Sequence, residues 1–504
     1  MLFNSYPFLV FMALVLPVYF WAARSSVALA AAWLAAASLV FYTVGEWLSA
    51  GGREALAHLL ILLASIAGNY GAGLLIHRAP TAAARSRRLF TAVAADLALL
   101  GYFKYAYFFL DVAGLDARLA SVVLPLGISF YTFTQIAYLV DVSRGRVREF
   151  NAANYALFVS YFPHLVAGPI IHHAEMMPQF LRRENYRVSS SNLAVGMSMF
   201  ALGLAKKLLI ADRVALYADP VFASAAHGNL TAAESWVGAL AYSMQIYFDF
   251  SAYSDMAIGV SKMLGFTLPL NFNSPYKAAC IIDFWRRWHM TLSRFLRDYL
   301  YIPLGGNRHG AARRYLNLML TMLLGGLWHG AGWTFIAWGG LHGVYLMINH
   351  AWRRIGGRLP RPAGAALTFV AVVFAWVFFR AASTDAALTL VRAMLGFGHA
   401  VAAGAAGAAG AAGAAAVGGT LFPNLQFEPP SVAAAIGVPL LMVWGMPNVQ
   451  QLFAAYHASL GAAQLDRPAF AWQPRLGWAV ICGALFAWCV ASMGGNSPFL
   501  YFRF

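Results

Sequence analysis

Four stretches without a single Asp, Glu, Lys or Arg, Met1–Ala23, Ser25–Gly45, Leu119–Val140 and Tyr315–Trp352, set the terms on which this chain can fold. Each reaches the roughly 20 apolar residues that a helix needs to cross the hydrocarbon core of a bilayer. Shorter apolar segments recur near 56–76, 89–110, 192–210, 235–262, 363–379, 432–448 and 477–493. In hydrocarbon every backbone N–H and C=O must find its partner within the chain. That leaves helices or closed barrels, and the two-residue alternation of barrel strands is missing here. At 61% hydrophobic and 11% charged residues, a water-soluble globule is excluded too. The reading is an all-α polytopic membrane protein in which residues 1–504 form one integral-membrane unit, with roughly ten to twelve transmembrane helices, some of them incomplete.

The first stretch is read as a span and not a removed leader, because no Lys or Arg precedes it and its apolar part is too long. The net charge of +16 is placed unevenly. Segments after the first, third and fifth crossings carry Arg24, then Arg78, Arg85, Arg87 and Arg88, then Arg144, Arg146 and Arg148. Those after the second and fourth carry only Arg53 and Arg118. Positive loops stay in the cytoplasm, so the N-terminus is assigned to the outer side. A basic balance arranged in this way serves topology and gives no reason to expect nucleic acid as a partner. Cys280, Cys482 and Cys489 lie in or beside apolar segments without metal-ligand spacing, so neither a disulfide framework nor a metal centre is expected.

Three segments depart from simple spans. The run "AAGAAGAAGAAGAAAVGG" at 402–419 repeats Ala-Ala-Gly; glycine every third residue weakens a helix, and a low-complexity surface loop is expected. The stretch "YFPHLVAGPIIHH" holds Pro163, Gly168 and Pro169 and is followed by Arg182, Arg183 and Arg187. A full crossing there would carry those arginines outside, so a broken or re-entrant helix is expected. In segment 283–310, helical spacing sets Trp285, Trp288, Leu292, Phe295, Leu296 and Tyr299 on one face and Arg286, Arg287, Arg294 and Arg297 on the other. That pattern predicts an amphipathic helix along the cytoplasmic boundary, ended by Pro303 and the Gly305-Gly306 pair.

The signatures of soluble enzymes are missing: there is no G-x-S-x-G elbow, no phosphate-binding glycine loop, no H-E-x-x-H and no dinucleotide fingerprint. Ionisable side chains at membrane depth are costly, which makes them the candidates. His329 sits in "LLGGLWHGAGW" within the 315–352 helical segment. Imidazole exchanges a proton near neutral pH and suits general-base work. Gly325, Gly326, Gly330 and Gly332 either clear space for a substrate or serve tight helix packing, and Trp328 and Trp333 can wall a cavity. His289, at the edge of the aromatic face of 283–310, is either a second site residue or a neighbour of interfacial tryptophans. The arginines of that segment are either topological anchors or a grip for the phosphates of a cytosolic donor. His342 and His350 read as structural, and His164, His172 and His173 as lining of the broken segment. Asp249 and Asp255 are expected to pair with a buried arginine or to shape a cavity. Asp96 and Lys104, eight apart on one helix, are expected to meet partners within the bundle.

Taken together, "DFWRRWHMTLSRFLRDYLYIPLGGNR" and the later "GGLWHGAGWTFIAWGGLHG" resemble the membrane-bound O-acyltransferase (MBOAT) family, more narrowly its bacterial alginate O-acetyltransferase branch, which is related to the D-alanyl transfer protein of teichoic acid synthesis. The segments "MLFNSYPFLVF", "PLGISFYTFTQIAYLVD", "YFPHLVAGPI", "QIYFDFSAYSDMAIG" and "NSPFLYF" extend the resemblance over nearly the whole chain, and the Ala/Gly insert departs from it. The resemblance implies an MBOAT-type bundle of crossing, re-entrant and interfacial helices around a central cavity, with His329 catalytic and His289 at the second polar position. It implies a multi-pass protein of the bacterial cytoplasmic (inner) membrane, N-terminus periplasmic. Such a protein would use acetyl-CoA as co-substrate, without a bound cofactor, to O-acetylate an exported polysaccharide together with periplasmic acetyltransferase partner proteins. Trp285, Arg286, Arg287, Arg294 and Trp328 are the candidate donor contacts. Tyr501 in "PFLYFRF" is a candidate acyl relay or an interface anchor. Two non-catalytic readings stay open on sequence alone, a transporter or flippase and a scaffold of a polysaccharide export complex; broken helices with buried charge suit the first equally.

Overall fold

Short polar residues and glycines cut the apolar runs into helices. Ser26 accepts a hydrogen bond from Ala28 N where α1 (Tyr6–Ser25) gives way to α2 (Val27–Ala50), and Gly51, at φ +93°, turns the chain into α3 (Gly52–His77). Thr81 caps α4 (Ala82–Val112) through Ala84 N. The computed structural model describes residues 1–115, 123–228, 230–397, 422, 424–425, 427–494 and 497–500. The Ala/Gly insert at 402–419 and Tyr501 lie outside the described residues. The chain continues as α5 (Ile128–Ser143), α6 (Ala152–Ser160), α7 (Phe162–Leu165), α8 (His173–Leu181), α9 (Ser190–Ala205), α10 (Asp212–Ser224) and α11 (Ala232–Met263). After these come α12 (Ile281–Trp285), α13 (Met290–Leu296), α14 (Gly310–His329), α15 (Trp333–Arg354), α16 (Arg361–Arg380), α17 (Thr384–Met394), α18 (Pro429–Gly445), α19 (Val449–Leu452) and α20 (Leu476–Ser492). Apart from one isolated bridge between Pro269 and Leu460, no β structure occurs among the described residues.

Six helices among the described residues are long and apolar enough to cross a membrane: α1, α2, α3, α4, the continuous pair α9–α10, and α16. The other apolar segments fold as α5, α11, α14, α15, α18 and α20, which are shorter or carry more polar side chains. Any crossings beyond six, toward the ten to twelve expected, would have to come from these. α11 is the axis of the bundle, buried along nearly all its length although Gln245, Asp249, Ser251, Ser254 and Asp255 lie on it. Polar groups at that depth face protein and not lipid. α9 packs on α11 closely because Gly196 and Gly259 oppose each other: a Cβ at Gly259 would stand 2.7 Å from Gly196 O.

Asp249 and Asp255 pair with lysines and not with an arginine. Lys207 Nζ lies 2.7 Å from Asp249 Oδ1 and 2.9 Å from Asp212 Oδ1, and Lys206 Nζ lies 2.8 Å from Asp255 Oδ2. Both lysines sit on a wide π-turn, Lys206–Ala211, that joins α9 to α10. Asp96 accepts from Asn69 Nδ2 at 2.7 Å.

Three sequence expectations change in detail. The run 119–140 is not one span: α5 starts only at Ile128, behind Gly127 at φ +69°, whose pro-Cβ position faces Leu165 O. The helical segment 315–352 is a hairpin of two helices, because the backbone turns extended at Gly330 and Gly332 and α15 folds back on α14. Segment 283–310 is not a continuous amphipathic helix. It breaks between α12 and α13 at His289, and a π-turn, Arg297–Tyr301, follows α13. The chain around Pro163 and Gly168 is broken, with α6, α7 and α8 separated by buried non-helical backbone.

Candidate active site

The hairpin break explains where His329 sits. It is the last residue of α14, and the carbonyls of a helix's last turn have no intrahelical N–H to accept from. α4 supplies the missing donors. Lys104 Nζ lies 2.6 Å from Trp328 O and 3.1 Å from His329 O, and Tyr105 OH donates to Leu327 O at 2.8 Å. A cation at a helix C-terminus also complements the helix dipole. The imidazole itself is buried against Trp328 (ring centroids 4.9 Å), Trp338 (5.1 Å) and Phe379 (5.1 Å), and borders a cavity of about 110 Å³ shared with Lys104, Ser129 and Val166.

The surrounding glycines divide by role. A Cβ at Gly330 would overlap the Phe335 ring, and one at Gly326 would overlap Phe335 O, so these two let α15 close on α14. Gly325 meets only a Leu296 methyl, and Gly332 has room. Packing, more than substrate clearance, explains Gly326 and Gly330. Trp333 is exposed and does not wall the cavity.

His289 is fully buried at the break between α12 and α13, in left-handed backbone with φ +40°. Its Nδ1 lies 3.0 Å from Asn271 Oδ1. That oxygen also takes Thr291 Oγ1 at 2.9 Å, and Asn271 O accepts Met290 N at 2.9 Å. With Oδ1 acting as acceptor throughout, His289 carries its proton on Nδ1 and presents the lone pair at Nε2. Its ring meets Phe250 edge-on at 4.8 Å and lies 6.4 Å from Trp328. Trp328, stacked on Phe133 at 5.0 Å, thus neighbours both histidines.

A second, larger cavity of about 890 Å³ opens beside α12 and α13. Trp285, Arg286, Arg287 and Arg294 line it, as do Met290 and Thr291, the residues next to His289. Trp328 does not; among the donor candidates it alone belongs to the small cavity with His329. The arginines are largely answered by carboxylates: Arg287 Nε lies 2.9 Å from Asp283, Arg294 forks onto Glu175, and Arg297 pairs with Asp298. Arg286 is exposed and has no ion pair among the described residues. Trp285 Nε1 donates to His342 Nδ1 at 3.2 Å, and Trp338 packs between His342 (4.9 Å) and His329 (5.1 Å). α14 touches the large cavity at Leu318, Thr321 and Met322 and the small one at Trp328 and His329. At about 1.5 Å per residue the two contacts are roughly 9 Å apart along the helix.

Of the other histidines singled out in the sequence, two make local bonds. His164 Nε2 meets Phe158 O at 2.9 Å, and His172 Nδ1 meets Tyr299 OH at 3.0 Å. His173 packs between Tyr138 and Phe158, and His350 lines the large cavity. Tyr105 and Asn271 are site residues that sequence reasoning missed, and Lys104, expected only to meet a partner within the bundle, meets it at His329. Lys104 did carry a signal, as a lone cation within the apolar stretch 89–110. Asn271 carried none.

With this geometry in hand, comparison with known proteins is informative. The profile of the MBOAT, membrane-bound O-acyltransferase, family matches residues 33–384. The chain is 44% identical to the peptidoglycan O-acetyltransferase of Helicobacter pylori over 397 residues, 72% of this chain and 73% of that one. It is 46% identical to the probable alginate O-acetylase of Azotobacter vinelandii over 343 residues, 66% and 67% of the two chains. A teichoic acid D-alanyltransferase of Bacillus subtilis is 26% identical over half of this chain.

Proposed function

From the premise that this chain belongs to the membrane-bound O-acyltransferase family, and so is an acyltransferase, we propose that it moves an acetyl group from cytosolic acetyl-CoA to a hydroxyl destined for an exported polysaccharide, with His329 as general base. The observation that carries the reading is the placement of His329: one helix, α14, borders a large arginine-lined cavity at one level and a small cavity beside the imidazole at another. Donor and acceptor can therefore approach one buried layer by separate routes.

The large cavity has room for an extended thioester, and Arg286, together with Arg287 and Arg294 once their carboxylates yield, supplies charge for its phosphates. The small cavity holds only a few water volumes, so the acceptor reaches His329 through a protruding hydroxyl and not as a whole sugar ring. The hydroxyl oxygen attacks the thioester carbonyl carbon while its proton passes to His329. The tetrahedral adduct then expels the thiolate, which takes that proton from the imidazolium and leaves as the free thiol. General-base assistance of this kind contributes roughly 10²–10⁴-fold. His289, its tautomer set by Asn271, orients the donor. In this reading the protein lies in the bacterial inner membrane with its N-terminus in the periplasm, where partner acetyltransferases complete delivery to the polymer.

Membranes containing His329→Ala or His329→Gln, supplied with labelled acetyl-CoA, are expected to lose transfer by about 10²-fold or more at unchanged protein level. Transfer at the wild-type rate would overturn the assignment.

A further inference from the structure

Away from both cavities of the active layer, α1, α9 and α20 enclose a groove of about 710 Å³. Its walls are apolar: Phe8 and Met12 from α1, Met197 and Phe200 from α9, Cys482 and Phe486 from α20. Met197 is more than half exposed, so the groove opens toward the surrounding bilayer. Apart from Ser198 on α9, its polarity is gathered at one end. There Arg475 occupies the N-cap of α20, exposed, without an ion pair among the described residues, and no side chain caps the helix. Free N–H groups at a helix N-terminus beside a guanidinium favour a phosphate.

A second observation points the same way. Trp472 lines this end of the groove and is only 4% exposed, yet its indole N–H has no hydrogen-bond partner among the described residues. A buried donor left unmet is unfavourable; the indole nitrogen has almost no accessible surface, so an acceptor meets it only as this end of the groove closes around a ligand. Ring packing on Phe453 and Tyr456 holds the indole in place whether or not its N–H is used.

The depth of this end is also fixed. Met263, another lining residue, precedes Leu264, whose carbonyl accepts Tyr19 OH at 2.9 Å, five residues before Arg24. The turn bearing Arg182, Arg183 and Arg187, all exposed, packs there through Tyr186 against Tyr19 and Phe266. The polar end therefore lies at the basic face of the molecule, in the leaflet that the charge asymmetry assigns to the cytoplasm.

We infer that this groove is a binding site for one anionic glycerophospholipid, its phosphate held by Arg475, the α20 N-terminus and the Trp472 N–H, and an acyl chain laid between α1, α9 and α20. Net negative charge distinguishes the ligand from a zwitterionic lipid, because nothing acidic answers Arg475.

The full chain, reconstituted into vesicles of mixed phosphatidylglycerol and phosphatidylcholine and re-extracted in mild detergent, is examined by native mass spectrometry. One retained phosphatidylglycerol per protein is expected, favoured about tenfold over phosphatidylcholine. The pair Trp472→Phe with Arg475→Gln keeps the ring packing and removes the polar grip; it should lose that retention about tenfold. Gly483→Leu, at a groove position where an added Cβ meets nothing, fills the acyl channel and should displace the lipid with the phosphate grip intact. Retention unchanged in either variant, or equal retention of the two lipids by the wild type, overturns the site.

Discussion

His289 holds a backbone conformation that few side chains adopt, φ +40° and ψ +54°, and holds it fully buried. Left-handed backbone at a non-glycine residue costs on the order of 1–3 kcal/mol and survives only where neighbours enforce it. The enforcing contacts are visible: Asn271 takes His289 Nδ1 with its side chain and Met290 N with its carbonyl, closing the turn from both sides. Backbone and chemistry can be separated by substitution. Asn accepts left-handed backbone more readily than most residues, whereas a β-branched side chain resists it. His289→Asn should keep a melting temperature near that of the wild type while transfer falls by about 10²-fold. His289→Val should lose activity and also about 1–3 kcal/mol of stability. Equal melting of the two variants in detergent would show that the strain is not borne at this residue.

The hairpin of α14 and α15 is the element that presents His329, and two kinds of contact fix it. Lys104 and Tyr105 hold the last carbonyls of α14, while Gly326 and Gly330 admit Phe335 of α15. Gly330→Ala should therefore destabilise by about 1–3 kcal/mol through overpacking, and Phe335→Leu should recover most of that in the double variant. Thermal melting of the four proteins measures the coupling; strictly additive losses would mean that the two do not touch. Lys104→Met tests the other contact. A charged hydrogen bond contributes about 1.5–3 kcal/mol, and here it positions the end of α14, so kcat should fall tenfold or more with KM for the donor little changed. A rise in KM alone would assign Lys104 to binding instead. These elements also mark how far the sequence could be read. The spans were legible because apolar runs leave a long signal, and Gly330 and Gly332 flag the turn once the run is seen to exceed one crossing. The break at His289 was not, because the aromatic face stays in helical register straight through it and the bonds that break it come from Asn271. The arginine cluster was legible as a cluster; its neutralisation by Glu175, far away in sequence, was not.

Across the whole molecule, two lysines tie together parts of the chain that share no local sequence. Lys207, on the π-turn between α9 and α10, meets Asp249 in the middle of α11, Asp212 at the start of α10, and Pro498 O near the C-terminus at 3.2 Å. Asp249 in turn accepts Leu500 N at 2.9 Å, and Ser497 Oγ donates to Asp212 at 2.7 Å, so the segment 497–500 closes into the bundle through charge. Phe499 lies under the same ammonium at 4.9 Å. Buried pairs of this sort add little when compared with a well-packed apolar pair, yet removing one member strands the other and costs about 3–5 kcal/mol. Lys207→Met leaves two carboxylates facing each other in a protein interior that is itself surrounded by lipid. Its apparent melting temperature in detergent should drop by roughly 5 °C or more. Lys207→Met combined with Asp249→Asn removes the stranded charge while an amide oxygen can still accept Leu500 N, and should regain at least half of the loss. Fluorescence-detected size exclusion after a heat step reads both variants from crude membranes. If the single variant melts with the wild type, or the double melts below the single, the charge cluster does not hold the C-terminal segment, and the packing of Phe499 and Leu500 alone must account for its burial.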